Sequence, residues 1–138
     1  MTDRLSTDRR SWLMSRVSSK DTAPEIRVRS AAHRRGLRFR IHRRDLPGSP
    51  DLVFPKRRLA IFVHGCFWHR HPGCRKASTP KSNIAFWQKK FAQNIERDEL
   101  SRRKLQSLGW QVLTIWECET KREDTLYTFL KEIEKYGN

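Results

Sequence analysis

Long apolar runs are missing from this chain of 138 residues. The longest, Leu59–Val63, falls far short of the roughly 20 residues that span a bilayer, which excludes a membrane-spanning helix. The opening residues, Met1-Thr2-Asp3-Arg4-Leu5-Ser6, lack the apolar stretch of an export signal, so the expected location is the cytoplasm. Cysteine is scarce too, at 3 residues. In that compartment three cysteines point to metal thiolates or buried thiols rather than disulfides. Acidic residues are outnumbered 15 to 30, a net charge of +15, which argues against a neutral or acidic small-molecule enzyme and for a polyanionic partner. With 36% hydrophobic residues the chain can build one core, and its length leaves no room for a second of ordinary size.

The positive charge is spread through periodic segments rather than collected in a low-complexity tail. Residues 1–50 carry 13 basic and 5 acidic side chains, whereas residues 101–138 carry 7 and 6. Residues 1–20 read as an Arg-rich arm that clamps phosphates, followed by a single domain over 21–138. Thr22, Pro24 and Glu25 are a helix start, with Glu25 placed as in a capping box, and Gly36 is the stop. Leu37–Ile41 alternates like a half-buried strand, and Pro47-Gly48-Ser49-Pro50 breaks it. Asp51–Phe54 and Leu59–Val63 read as two strands, the second apolar enough to be central. Residues 64–82 lack periodicity and form a long loop, which in a small domain marks function. Ile84, Trp87, Phe91, Ile95, Leu105 and Leu108 predict one long helix ended by Gly109, Gln111–Trp116 a strand, and Leu126, Phe129, Leu130 and Ile133 a final helix. The expected order is α-β-β-β-α-β-α, an α/β or α+β sandwich with a small sheet between helices.

Three groups of residues carry chemistry. Cys66, His71, Cys74 and Cys118 offer three thiolates and an imidazole, a closed tetrahedral set suited to structural zinc; the alternative is incidental buried thiols. Asp51, after a proline turn and at a strand start, is a hard oxygen ligand of the kind magnesium takes, or a turn cap, which is the commoner use of Asp. His64-Gly65-Cys66-Phe67-Trp68-His69-Arg70-His71 places imidazoles and aromatics on the loop after the central strand. His69 suits a general base and Phe67 and Trp68 suit stacking on DNA bases, or all of them form a small core around the metal. By local rules alone Glu25 caps its helix, Trp87 is helix core, and Asp98 pairs with Arg102 one turn on.

Taken in order, Met14–Glu25, Leu46-Pro47-Gly48-Ser49-Pro50-Asp51, Val63–His69, Asn94-Ile95-Glu96-Arg97-Asp98, Leu108–Leu113 and Trp116-Glu117-Cys118 strongly resemble the very short patch repair (Vsr) DNA mismatch endonucleases. The resemblance implies a restriction-endonuclease-like three-layer α/β/α fold with a small mixed central sheet, a structural zinc site and a magnesium-dependent nuclease centre. It implies an enzyme that nicks one strand 5′ to the thymine of a T:G mismatch left by deamination of 5-methylcytosine. Asp51 would then hold magnesium and His69 act as base, with Glu25, His64 and Asp98 supporting them. Phe67, Trp68 and Trp87 would form a wedge in double-stranded DNA, with Met14 beside it, and Cys66, His71, Cys74 and Cys118 would bind zinc. The superfamily's acidic-x-Lys motif is replaced here by Ala60-Ile61-Phe62-Val63, so the second protein ligand to magnesium would be the Val63 carbonyl. A monomer is the expected state, with repair proteins as candidate helpers. The rivals are a zinc-containing DNA-binding protein that does not cut, and a nuclease for intact duplex. A zinc deaminase is disfavoured, because neither His-x-Glu nor Pro-Cys-x-x-Cys occurs.

Overall fold

The computed structural model describes residues 21–78 and 80–137, so the proposed arm and Met14 lie outside the described residues. Helix α1 (Ala23–Arg34) begins at Thr22 with Pro24 in its first turn and ends before Gly36, which takes φ +77°. Strands β1 (Leu52–Phe54) and β2 (Leu59–His64) follow, joined by a single 3₁₀ turn at Pro55–Arg57. Helix α2 (Ile84–Ser107) is the longest element. After Gly109 at φ +90° come strand β3 (Gln111–Trp116), the one-turn helix α3 (Glu117–Thr120) and helix α4 (Glu123–Glu134).

The sheet order is β1-β2-β3, with β1 antiparallel and β3 parallel to β2. It is therefore mixed, and the continuously apolar strand is central, as its sequence predicts. Alternation sorts its side chains between two faces. Leu52, Phe54, Leu59, Ile61 and Ile115 pack with Val28 and Ala32 of α1 and with Leu130 and Ile133 of α4. Val53 and Ala60 pack on the other side with Leu105 of α2, Trp110 and Leu46. Helices on both faces of a mixed sheet give the three-layer α/β/α arrangement.

Two local expectations are corrected. Leu37–Ile41 is not a strand. Arg40 alone bridges to Val53, exchanging bonds of 2.8 and 2.9 Å. The chain then turns away at His42, which has φ +59°. Its apolar residues still serve the core, with Leu37 buried and Phe39 edge-on to Phe54 at 6.1 Å. On α2, only Trp87, Phe91 and Leu105 of the six predicted apolar positions are buried, while Ile84, Ile95 and Leu108 are about half exposed. No described helix is long and apolar enough to cross a membrane.

Candidate active site

The turn before Asp51 is built by its own residues. The Ser49 N–H donates to the Leu46 carbonyl at 3.1 Å, with Pro47 second and Gly48 third at φ +74°, the pattern of a type II turn. Pro50 is buried. Asp51 then enters the sheet, its N–H donating to the Ile61 carbonyl at 2.9 Å. Its carboxylate does not cap the turn. Oδ2 accepts the Val63 N–H at 2.6 Å, reaching twelve residues ahead to the far end of β2.

A cleft of about 240 Å³ opens here, lined by Glu25 and Arg29 of α1, His42, Arg44 and Ser49–Asp51. Burial, and then the charge of Glu25, pushes the Asp51 carboxyl up to about 7, against the Val63 N–H and the positive charges of His69 and Arg29. Glu25 is 3% exposed and does not form the expected capping box. Its Oε2 instead accepts the Asp21 N–H at 2.8 Å and Arg29 Nη2 at 3.0 Å, and its Oε1 accepts the Thr22 hydroxyl at 3.1 Å. A buried carboxylate and a half-buried one on one small cleft, the second short of positive charge, fit a hard divalent cation held through oxygen.

The imidazoles gather at this same end of β2, which closes on His64. His69 Nδ1 lies 2.6 Å from Asp98 Oδ2. With the carboxylate accepting, Nδ1 carries the proton and Nε2 keeps the lone pair, the tautomer a general base needs. The His64 ring stacks on His69 at 3.9 Å and 6°. Burial, reinforced by the neighbouring His69 charge, pushes His64 down to about 4, so it is neutral at physiological pH. Asp98 thus pairs with His69, 29 residues away in sequence, and Arg102 turns to Glu99 instead of to Asp98.

The third cluster is Cys66, His71, Cys74 and Cys118, whose ligand atoms lie within 4.8 Å of one another. Cys66 Sγ and Cys118 Sγ stand 3.7 and 3.4 Å from His71 Nδ1. A tetrahedron of bonds between about 2.0 and 2.3 Å has edges in this range, so the set fits zinc. His71, rather than His69, stands with the thiols. Its ring stacks on Trp116 at 4.4 Å, and the one-turn helix α3 presents Cys118 to the loop. Burial pushes the Cys66 thiol up to about 12, a strong preference for the neutral form that a bound cation reverses.

Phe67 and Trp68 are half-buried and pack edge-on to each other at 5.3 Å. Trp87, 2% exposed, lies beneath both at 5.8 Å, with Phe91 at 5.2 Å from Phe67. Asn94 Nδ2 donates to the Trp68 carbonyl at 3.3 Å. The aromatics therefore form a small core on α2. Sequence reasoning missed Arg29, His42, Arg44 and Asn94. Arg29 left a signal in its spacing of four residues from Glu25, and Asn94 stands first in the family-like string Asn94–Asp98.

This fold and this site define a restriction-endonuclease-like endodeoxyribonuclease. Residues 2–76 match the family described as DNA mismatch endonuclease Vsr, and the chain belongs to that family. It is 51% identical over 133 residues to the type II nicking enzyme V.XorIIP of Xanthomonas oryzae pv. oryzae, covering 96% of this chain and 97% of that one. It is 42% identical over 117 residues to the DNA mismatch endonuclease Vsr of Escherichia coli K12, covering 85% and 74%. The type II nicking enzyme V.NmeAIP of Neisseria meningitidis serogroup A is 41% identical over 123 residues, covering 89% and 87%.

Proposed function

We propose that this enzyme nicks one DNA strand 5′ to the thymine of a T:G mismatch produced by deamination of 5-methylcytosine. The observation that carries the chemistry is the pairing of two devices at the C-terminal end of β2, the half-buried Asp51 bonded to Val63 and the His69–Asp98 pair stacked on His64. The mismatch specificity is supported by the E. coli relative, which is named a mismatch endonuclease.

Asp51 and the Val63 carbonyl are the ligands for magnesium, with Glu25 and Arg29 holding the acidic floor of the cleft. Magnesium bound there would neutralise charge on the scissile phosphate. His69 Nε2 takes the proton of the attacking water, Asp98 stabilises the imidazolium that forms, and His64 keeps the ring in place by stacking. Cys66, His71, Cys74 and Cys118 hold zinc and pin the loop that carries His69, Phe67 and Trp68. Phe67 and Trp68 wedge between bases, supported by Trp87, and Met14 is a further DNA-contacting residue. Unstacking a mispaired step costs less than unstacking a paired one, and each aromatic–base stack returns about 1–3 kcal/mol. Residues 1–20 clamp phosphates for the domain over 21–138. The enzyme works in the cytoplasm as a monomer, with repair proteins as helpers.

The test is strand cleavage of labelled duplexes that differ only by T:G or C:G at one position, placed in several methyltransferase contexts. A magnesium-dependent nick mapped 5′ to the mismatched thymine is expected. Equal cutting of both duplexes would remove the mismatch role, and binding without a nick in any context would remove the nuclease.

A further inference from the structure

One face of α2 runs from the aromatics past His69 to the turn that precedes Asp51. Trp87, Phe91, Asn94, Asp98, Ser101 and Leu105 recur at three or four residues and so share one stripe. Trp87 and Phe91 support Phe67 and Trp68, Asn94 bonds the Trp68 carbonyl, and Asp98 holds His69. One turn further on, Ser101 meets the turn that leads into Asp51. A methyl group at Gly48 would stand 2.6 Å from Ser101 Cβ and 2.7 Å from Ser101 Oγ, closer than packed carbon atoms approach, and 3.2 Å from Phe62 Cζ. Leu105 ends the stripe in the same buried cluster as Leu46, the first residue of that turn.

Gly48 is therefore fixed twice. Its φ of +74° disfavours any side chain, and its α-carbon faces a helix with no space for one. From Asp98 to Ser101 the helix rises about 4.5 Å, a distance set by backbone hydrogen bonds rather than by flexible side chains. We infer that α2 is the ruler of this active site: the Gly48–Ser101 contact is a positioning contact that fixes Asp51 at a set distance from the His69–Asp98 pair. The inference rests on the roles proposed above for Asp51 and His69. It assigns Gly48 and Ser101 no chemistry of their own.

The experiment compares wild type, Gly48→Ala, Ser101→Val and the double variant Gly48→Ala/Ser101→Gly. Ser101→Val crowds the contact from the helix side and leaves the turn unchanged, so it stands if Gly48→Ala does not fold. Melting temperature and zinc content report folding. Single-turnover nicking of a T:G duplex, duplex Kd and Mn2+ affinity report the site. Each single variant is expected to fold, to bind duplex within about threefold of wild type, and to nick about 100-fold more slowly, the scale of a 1 Å misplacement. Mn2+ binding is expected to weaken, and Ser101→Gly to restore at least about tenfold of the rate lost in Gly48→Ala. Single variants that nick at the wild-type rate would overturn the inference. So would a double variant no faster than Gly48→Ala. A wild-type chain that nicks no duplex contradicts the functional proposal instead. The Mn2+ titration then decides alone, and equal affinity in wild type and Ser101→Val would overturn the inference.

Discussion

His69 and Asp98 are the residues whose replacement separates chemistry from binding. Asp98→Asn keeps the size of the side chain but lets an amide face Nδ1, which favours the tautomer with its proton on Nε2. Nicking in a single turnover should fall by about 10²–10⁴, the usual share of a positioned base, with duplex affinity nearly unchanged. Asp51 and His64 predict opposite responses to pH. Asp51 is raised to about 7 in the folded chain from an ordinary 3.8, so without a divalent cation its ionisation removes stability as pH rises from about 4 to about 7. His64 is lowered to about 4 from 6.5, so its contribution is lost as pH falls through that window. The two slopes oppose each other. Melting curves of Asp51→Asn should therefore show an acid destabilisation that the wild type largely hides. Mn2+ affinity of the wild type should rise about tenfold per pH unit up to about 7 and then level off, since one proton must leave Asp51. The charged groups facing it are Glu25 and Arg29 from α1, His42 and Arg44 beside the turn, and His69 from the loop.

At the scale of elements, the Cys/His cluster makes the order of the stretch 64–82 a test of metal binding, and α2 depends on its buried stripe. Cys74→Ser should lower bound zinc well below one equivalent and abolish nicking, while the far-ultraviolet circular dichroism of the sheet and helices persists. Leu105→Ala, by contrast, opens a cavity under β2 and should cost about 2–5 kcal/mol in denaturant unfolding. The elements that were legible in the sequence are those that local chemistry decides. Pro24 and Gly36 bound α1, Gly109 ends α2, and the apolar run of β2 requires cover on both faces. Leu37–Ile41 was misleading because alternation describes burial, not pairing, and β1 offers Arg40 only one partner. The Cys/His cluster was legible because thiols are scarce in this chain. The His69–Asp98 pair was not, since Arg102 at four residues is the better local partner for Asp98. Only the fold brings the loop to the helix. The resemblance to the Vsr family supplied the residues that spacing could not. The contact of Gly48 with Ser101 left no trace in composition or period.

For the whole molecule, a net charge of +15 predicts salt-dependent binding. If six to ten phosphates are neutralised, log affinity should fall with log salt at a slope of about −5 to −9. Removing residues 1–20, which carry Arg4, Arg9, Arg10, Arg16 and Lys20, should flatten that slope by a few units in a salt titration of duplex binding. The three layers explain why such a small chain can cut DNA. At the C-terminal end of β2 the turn carrying Asp51 meets the loop carrying His69, and α2 packs against both.

The central claim is that hydrolysis runs through Asp51 on one side and His69 on the other, on a surface that binds DNA independently of both. The most direct measurement compares wild type with Asp51→Asn on one labelled T:G duplex in magnesium, recording Kd and single-turnover nicking together. The predicted result is affinity within about fivefold of wild type and nicking about 10²–10³-fold slower, the loss expected when the carboxylate that would hold the charge-neutralising cation is gone. Nicking by Asp51→Asn at the wild-type rate would contradict the account.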